Sequence, residues 1–415
     1  MSQLTLTHAQ LLDPSQNRNQ LADVVIADGH IQHIFDAGKA PSSTQSIAAE
    51  GALLLPGIID LSAHINNVTS ESAAAAKGGI SLLCTQPNSK SVIDTPADVS
   101  LIQQASDNAG MSHLLPMGAL TQDLAGAQLA NMYSLKQAGC IALSNARMPI
   151  KNALVLRRIM EYAATHDILI MLTAEDYELS ANGKMHEGPT ANRLGLTGIA
   201  EVAETTSLAQ QLLLIELTGC RAHFSRISCA RSVAMIRTAQ AQGLAISADV
   251  AIANLIFTDT DVNGFNSTFY VQPPLRSESD RKALLAGIND GTLAICSNHQ
   301  AQDIAAKKAP FAAAEPGMSI LDSWLPMMLT LVKRGELTLE AMVNASSILP
   351  AKILGLNTGI QLGQAANLVL VDANSQVCFT EETLVSAGKN NPLLGEQLVG
   401  QVRLTMSNGR EVYRA

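Results

Sequence analysis

The middle of the chain alternates short apolar runs with amphipathic stretches, and this alternation limits the possible folds more than any other feature. The apolar runs predict strands at ISLLCT (80–85), CIALS (140–144), ILIMLT (168–173), RAHFSRIS (221–228), LAISADV (244–250) and LAICSN (293–298). The amphipathic stretches predict helices at residues 151–165, 201–217, 230–242, 277–290 and 336–348. Because buried parallel strands form continuous apolar runs, alternation over about 300 residues predicts an α/β fold of the TIM (β/α)8 barrel type. A doubly wound sheet is the alternative, but no GxGxxG follows the first strand.

Both ends of the chain have the pattern of β-strands joined by tight turns. Near the N-terminus, DVVIADGHIQHIF contains an Asp28-Gly29 pair, and near the C-terminus QVRLTMSNGREVY contains an Asn408-Gly409 pair. Such pairs between apolar runs are typical of two-residue hairpin turns. We therefore predict a small β-sandwich domain built from residues 1–55 and 358–415, beside a barrel of residues 56–357.

Composition narrows the classes of function and location. Lys and Arg number 27 against 36 Asp and Glu, a net charge of −9, which argues against a general nucleic-acid or anionic-membrane binder. No apolar run approaches the length of a membrane span and the N-terminus lacks a signal pattern, so we expect a cytoplasmic protein. The six cysteines lack CxxC spacing, which argues against a disulfide framework or a structural zinc cluster. With 47% hydrophobic but only 3% aromatic residues, the core is predicted to consist of Ala, Leu, Ile and Val.

The segment PGIIDLSAHINN, residues 56–67, follows the first strands. It resembles the entry motif of the amidohydrolase superfamily, PGxxDxHxHxR, in which two histidines two residues apart face one side of a strand and bind a metal. In this sequence Ser62 replaces the first histidine, His64 keeps the second, and Asn66 replaces the arginine.

Further segments narrow the resemblance to the dihydroorotases, in particular the type I bacterial branch, over essentially the whole chain. Five segments resemble motifs of that family. QPNSK (86–90) resembles the MPN turn, MLTAEDYEL (171–179) resembles LHAED, and HFSRIS (223–228) resembles HxCHIS. QPPLRSESDRKALL (272–285) resembles NPPLRxxxDRxAL, and NNPLLGEQLVG (390–400) resembles NTPFxGxxLxG. The resemblance implies an amidohydrolase barrel. It also implies chemistry on a cyclic amide, which active members form from carbamoyl aspartate or hydrolyse. They use zinc to activate water and an aspartate to move the proton.

At the matching positions the metal-binding side chains are replaced. The replacements are Ser62, Asn145, Thr173 and Arg226 at single ligand positions, Ala253-Asn254 at a histidine pair, and Asn298 at the proton-shuttling aspartate. Only His64 remains. One imidazole does not hold a catalytic zinc, which needs about three protein ligands, and an amide has no basic function. We expect no zinc, no other cofactor and no dihydroorotase activity.

Arg226 is the one new charge among these replacements. Either it occupies part of the volume that the metal leaves and pairs with Glu175 or Asp176, or it points into solvent. The first arrangement would compensate a carboxylate that is costly to bury unpaired.

Some residues on the substrate side of the family motifs remain, namely Asn88, Arg276 and His299. They form either a residual pocket for a ureido or carboxylate ligand, or contacts that stabilise loops. Asn66 and Gln272 replace the substrate-contacting arginine and asparagine of the family, which argues against orotate binding. His223 is predicted to be a core histidine.

A preserved scaffold without ligands for a metal favours an interaction role over catalysis. The sequence resembles the inactive dihydroorotase-like subunits that some bacteria assemble with aspartate transcarbamoylase in de novo pyrimidine (UMP) biosynthesis. The resemblance implies a homodimer within a hetero-dodecamer of six barrels and six catalytic chains. Two other hypotheses stay open: a divergent amidohydrolase that acts on another cyclic amide with one weak metal or none, and a small-molecule sensor.

Overall fold

The strands and helices of the computed structural model lie within residues 3–41, 45–88 and 91–415, the parts of the chain that the structure describes. The strands are β1 (Gln3–Asp13), β2 (Arg18–Ala27), β3 (His30–Asp36), β4 (Ser46–Ala48), β5 (Leu53–Pro56), β6 (Ile58–His64), β7 (Ile80–Thr85), β8 (His113–Ala119), β9 (Ala142–Ser144), β10 (Ile170–Leu172), β11 (Met185–His186), β12 (Gly198–Ile199), β13 (Ala222–Phe224), β14 (Ile246–Ala251), β15 (Leu293–Cys296), β16 (His299–Gln300), β17 (Leu368–Cys378), β18 (Gln397–Ser407) and β19 (Arg410–Arg414). The helices are α1 (Val68–Lys77), α2 (Pro96–Ala109), α3 (Met132–Gln137), α4 (Ala153–Thr165), α5 (Pro189–Leu194), α6 (Glu201–Thr218), α7 (Ala230–Ala241), α8 (Ala253–Ile256), α9 (Glu278–Asn289), α10 (Ile304–Lys308), α11 (Trp324–Lys333), α12 (Leu339–Val343) and α13 (Leu349–Leu354).

A parallel barrel forms the centre of the described chain. Its wall has the order β6, β7, β8, β9, β10, β13, β14, β15. The chain leaves β15 through Ser297 and Asn298 into β16, which pairs with the end of β6 and thereby closes the ring. The predicted (β/α)8 architecture is confirmed, and the carboxyl ends of all these strands meet at one mouth.

Apolar side chains of moderate size fill the barrel and the space around it. Inside the wall lie Leu61, Met117, Met171 and Cys296, while a larger layer between the wall and the helices contains Trp324, the one tryptophan of the chain. The core therefore contains methionine in addition to the predicted Ala, Leu, Ile and Val. The unbranched side chain of methionine fills irregular gaps that aromatic rings would fill elsewhere.

The two chain ends form one mixed sheet, in the order β19, β18, β17, β5, β1, β2, β3, with β4 also on β1. The sheet folds over, so that the β2–β3 turn meets the β18–β19 turn. A Cβ on Gly409 would lie 2.4 Å from the carbonyl oxygen of Gly29, and only glycine permits this approach. Strands from both chain ends thus share one sheet, which has its own apolar core.

Buried hydrogen bonds join the terminal sheet to the barrel. Ser81 Oγ on β7 donates to the carbonyl of Met406 at 2.8 Å, and Ser407 Oγ donates to the carbonyl of Ser81 at 2.8 Å. Thr405 Oγ1 donates to the carbonyl of Ala76 on α1 at 2.7 Å. Because all these groups are buried, separating the two layers would leave several donors without partners.

The structure differs from the sequence prediction at two strands of the barrel. The run 221–228 forms a strand only over Ala222–Phe224, because the chain turns at Arg226, whose φ is +60°. β8 was not predicted, since Pro116 within it lacks the N–H that a central strand normally donates. In the described ranges, no helix is both long and apolar enough to cross a membrane.

Candidate functional site

The mouth of the barrel brings together several of the replaced positions. Ser62 lies on β6, Thr173 follows β10, Arg226 follows β13 and Asn298 follows β15. Side chains at these strand ends converge, as the barrel geometry requires.

The guanidinium of Arg226 lies at the centre of this group. Its Nη1 donates to Ser62 Oγ at 3.2 Å and to Asn298 Oδ1 at 3.4 Å, and its Nη2 donates to Thr173 Oγ1 at 3.1 Å. The residue is 3% exposed, so it does not point into solvent. Burial lowers the pKa of the guanidinium from its usual range, because the folded environment is less favourable to the cation than water.

The expected pairing of Arg226 with Glu175 or Asp176 is wrong. Glu175 pairs instead with Arg147, whose Nη2 lies 2.6 Å from Glu175 Oε2. Asp176 Oδ1 accepts the backbone N–H groups of residues 178 and 179, each at 3.0 Å. Both carboxylates are already satisfied, and the guanidinium is left with hydroxyl and amide oxygens.

The residues present do not fit a zinc ion. Two hydroxyls and an amide oxygen surround a cation that already fills the space between them. Zinc in proteins is held by thiolates, imidazoles and carboxylates. Within the described residues, no three His, Cys, Asp or Glu side chains are grouped so that they could hold a metal ion.

His64, at the end of β6, remains uncharged at neutral pH. Burial, and after it the charge of Arg226, lowers the pKa of the imidazole to about 3. Such a group is a weak base for proton transfer near pH 7.

Asp60 lies deeper in the barrel and joins the first strand to the last. Its carboxylate accepts the backbone N–H of Ser297 at 2.7 Å and that of Ser62 at 3.2 Å. Burial raises the pKa of the Asp60 carboxyl to about 7, although these hydrogen bonds act in the opposite direction. Asp60 thus orients the strand ends that carry Ser62 and Asn298.

Asn145, in the place of a metal-bridging carboxylate, is held by loop contacts. Its Oδ1 accepts from Thr121 Oγ1 at 2.7 Å, and its Nδ2 donates to the carbonyls of Leu124 and Met148 at 3.2 and 2.9 Å. The amide nitrogen donates two hydrogen bonds, which a carboxylate could not do. The replacement therefore converts a ligand position into a loop anchor.

The structure does not bring together the three residues predicted for a residual pocket. His299 is fully buried, where Nδ1 accepts the backbone N–H of Ile320 at 3.1 Å and Nε2 lies 2.9 Å from Glu71 Oε2. Arg276 is also buried and donates to Ser228 Oγ and the carbonyl of Ile199, each at 2.9 Å. Both stabilise loops, which was the alternative interpretation.

His223 is a core residue, as predicted. It is fully buried, with Nδ1 2.8 Å from Ser247 Oγ and Nε2 2.9 Å from Asp249 Oδ2. Asp249 Oδ1 also accepts the backbone N–H of Arg226 at 2.6 Å. This chain of contacts fixes the turn that carries the guanidinium.

A cavity of about 470 Å³ opens at the barrel mouth. We call it the mouth cavity, and its lining includes His64, Asn88, Arg147, Glu175, Lys184 and Asn298. Asn88 is therefore the one member of the predicted pocket that lies here.

Arg147 and Lys184 were missed by the sequence interpretation. Both stand outside the motifs that carry the family resemblance, so no pattern identified them. One feature of the sequence could have identified Arg147. It is a cation two residues after Asn145, where the family resemblance places a carboxylate, so it changes the charge of that loop.

Comparison with known proteins gives a consistent set of relatives. A family model described as dihydro-orotase-like matches residues 51–232. A dihydroorotase-like protein of Pseudomonas aeruginosa is 41% identical over 98% of this chain and 98% of its own length. A protein of the same description from Pseudomonas putida is 40% identical over the same shares. A dihydroorotase of Trichlorobacter lovleyi is 33% identical over 99% of both chains.

Solved structures support the fold. An L-hydantoinase (dihydropyrimidinase) from Arthrobacter aurescens superposes with a TM-score of 0.86 at 22% identity and covers 99% of this chain and 96% of its own. A dihydropyrimidinase from Brevibacillus agri gives a TM-score of 0.83 at 19% identity, over 100% and 95% of the two chains. The barrel and the terminal sheet are thus shared with these proteins.

Proposed function

Because the chain belongs to the dihydroorotase-like family, with relatives of that description 41% and 40% identical over 98% of its length, we propose that it is a non-catalytic member. The proposal rests above all on one observation. The Arg226 guanidinium lies between the side chains of Ser62, Thr173 and Asn298, where the family resemblance places metal ligands and the proton-shuttling aspartate.

This arrangement lacks both parts of the family's chemistry. A guanidinium stays protonated and accepts no proton, so it does not generate hydroxide from water as a metal does. Asn298 is not a base, and the pKa of His64 is lowered to about 3. Neither group provides a general base whose pKa lies near neutral pH.

The catalytic half of the proposal is tested by metal content and by turnover. Purified chain supplied with zinc is expected to retain no stoichiometric metal and not to interconvert dihydroorotate and carbamoyl aspartate. The matched comparison is a variant with Ser62→His, Asn145→Asp, Thr173→His, Arg226→His and Asn298→Asp, which is expected to bind zinc because the strand ends already converge. Near-stoichiometric zinc together with turnover in the unchanged chain would refute the proposal.

We also propose that the chain assembles with the catalytic chain of aspartate transcarbamoylase and supports its activity. Support comes from the resemblance to inactive dihydroorotase-like subunits and from the preserved scaffold. The surface of α6 adds to it, because Leu213 and Leu217 lie one turn apart and are 67% and 63% exposed. Exposed apolar side chains grouped in this way are typical of contact surfaces.

Co-expression with the transcarbamoylase of the same organism tests the assembly. We expect both chains to co-elute in one large particle on sizing, and the transferase to be more active or more stable there than alone. The transferase expressed by itself is the control. If it is fully active alone and never co-elutes with this chain, the partnership is excluded.

A further inference from the structure

The mouth cavity has an excess of positive charge in a protein that is acidic as a whole. Arg147 and Lys184 line it, and among its lining residues Glu175 is the one carboxylate. The whole chain carries a net charge of −9. A concave site whose charge opposes that of the whole molecule concentrates ligands of the opposite sign.

Arg147 has hydrogen-bonding capacity left after its ion pair. Nη2 binds Glu175 Oε2 at 2.6 Å, whereas Nη1 is buried and makes no hydrogen bond of standard geometry in the described structure, although the hydroxyl of Tyr177 lies near this guanidinium. Buried donors in proteins are normally satisfied. An acceptor in the cavity would supply the missing bond.

Lys184 is held in place without an ion pair among the described residues. Its ammonium lies 5.3 Å from the ring centroid of Tyr270, and its backbone N–H donates to the carbonyl of Thr197 at 2.9 Å. The preceding Gly183 packs so closely that a Cβ there would lie 2.2 Å from Ile199 Cγ1. The backbone that carries the lysine is therefore held in place, and the ring of Tyr270 provides a contact for its ammonium.

Arg226 adds a third cation below the floor of the cavity. Asn298 lines the cavity and its Oδ1 accepts from Arg226 Nη1 at 3.4 Å. The buried charge thus lies one side chain away from the cavity, where a low dielectric preserves its field.

We propose that the mouth cavity binds a small dianion, whose negative groups are carboxylate or phosphate, with Arg147 and Lys184 as its ligands. The cavity volume of about 470 Å³ lies in the range of small-molecule sites. Arginine and lysine are the side chains that recognise both of these groups. This binding requires no metal and does not depend on assembly with a transferase.

Isothermal titration calorimetry with succinate and with inorganic phosphate tests the proposal. One saturable site is expected, and the tighter of the two probes identifies the carboxylate or the phosphate as the preferred group. Succinamide, which is similar in shape but neutral, is expected not to bind. Failure of both anions to saturate at millimolar concentration would overturn the proposal.

Variants distinguish anion binding at this site from nonspecific electrostatic attraction of the anion to the protein. Lys184→Gln and Arg147→Gln are each expected to weaken binding about tenfold or more, the size of one lost charge-assisted hydrogen bond. Glu175→Gln is expected to tighten it, because it frees Arg147. Lys282→Gln, on the exposed face of α9 with its side chain 71% exposed, is the control and should bind as the unchanged chain does. Equal affinity in all four variants would contradict the assignment.

Discussion

At the scale of single residues, Arg226 determines what the barrel mouth can do. Its charge is buried among neutral oxygens, and its Nε has no hydrogen-bond partner in the described structure. Ser62, Thr173 and Asn298 each hold another partner besides the guanidinium. Without the guanidinium, Ser62 and Thr173 would each keep a hydrogen bond at the same oxygen, whereas Asn298 would keep the bond from its Nδ2 and lose the partner of its Oδ1.

We predict that Arg226→Met raises the free energy of unfolding by about 1 kcal/mol, because an apolar side chain of similar volume avoids the desolvation of a cation. Urea denaturation measures the change. Arg231→Met, at an arginine side chain that is 62% exposed on α7, is the control and should have little effect. A loss of more than about 2 kcal/mol would show that the cation stabilises the fold.

The sequence predicted which of these residues would converge but not how they would pair. Positions such as Ser62 and Thr173 could be placed because strand ends in a parallel barrel meet at one mouth. The partner of Glu175 could not, because the choice between Arg147 and Arg226 depends on side-chain reach and on which loop turns inward. The burial of His299 and Arg276 could not be predicted either, because the motifs that contain them fit a ligand contact as well as a loop contact.

At the scale of elements, Glu71 links α1 to two distant segments. Its Oε2 lies 2.9 Å from His299 Nε2 on β16, and its Oε1 accepts the backbone N–H of Ala387 at 2.9 Å. Burial alone would raise the pKa of Glu71, but these hydrogen bonds lower it to about 2. A carboxyl with a lowered pKa stabilises the fold above its unfolded pKa, and this contribution is lost as the pH falls towards the folded value.

We predict that Glu71→Gln lowers the free energy of unfolding at pH 7 by about 2 kcal/mol, the scale of a buried charged hydrogen bond. The difference from the unchanged chain should shrink as the pH falls from about 4.5, the unfolded pKa, to about 2. Urea titrations over this range measure it, with Glu216→Gln on the exposed face of α6 as the control. A difference that is constant with pH would mean that the charge of Glu71 is not responsible.

Helices were easier to predict than strands. α6, α7 and α9 begin and end within two residues of the predicted bounds, because their apolar periodicity is long. Residues 336–348 form α12 followed by a π-helical turn rather than one helix. The barrel strands β9 and β13 have only three residues each. They are shorter than the apolar runs that contain them, so the runs do not indicate where the strands begin and end.

At the scale of the whole molecule, the terminal sheet and the barrel form one structural unit. Besides the contacts of Ser81 and Thr405, the backbone N–H of Val399 donates to Thr330 Oγ1 at 3.3 Å, which joins β18 to α11. The same helix begins with Trp324, which is fully buried. Tryptophan fluorescence therefore reports on the barrel at the point where the two layers meet.

We predict that the chain unfolds in a single transition, with the same midpoint by fluorescence and by far-ultraviolet circular dichroism, because many buried groups would lose partners if one layer opened alone. Thr405→Val should lower that midpoint without dividing the transition. Thr380→Val, at an exposed position in the terminal region, is the control. Two transitions with separate midpoints would show that the layers fold independently.

Closure of the ring by β16 makes the barrel wall depend on a loop at its mouth. The loop that carries Asn298, the position of the proton-shuttling aspartate in the family, also supplies the strand that seals the barrel against β6. An intact barrel therefore depends on this loop whether or not the chain turns over a substrate. Asn298 faces the mouth cavity, whereas its neighbour His299 is fully buried at the joint. The ring can therefore stay closed while the side chains at its mouth change, so the outline of the barrel alone does not determine whether the site turns over a substrate.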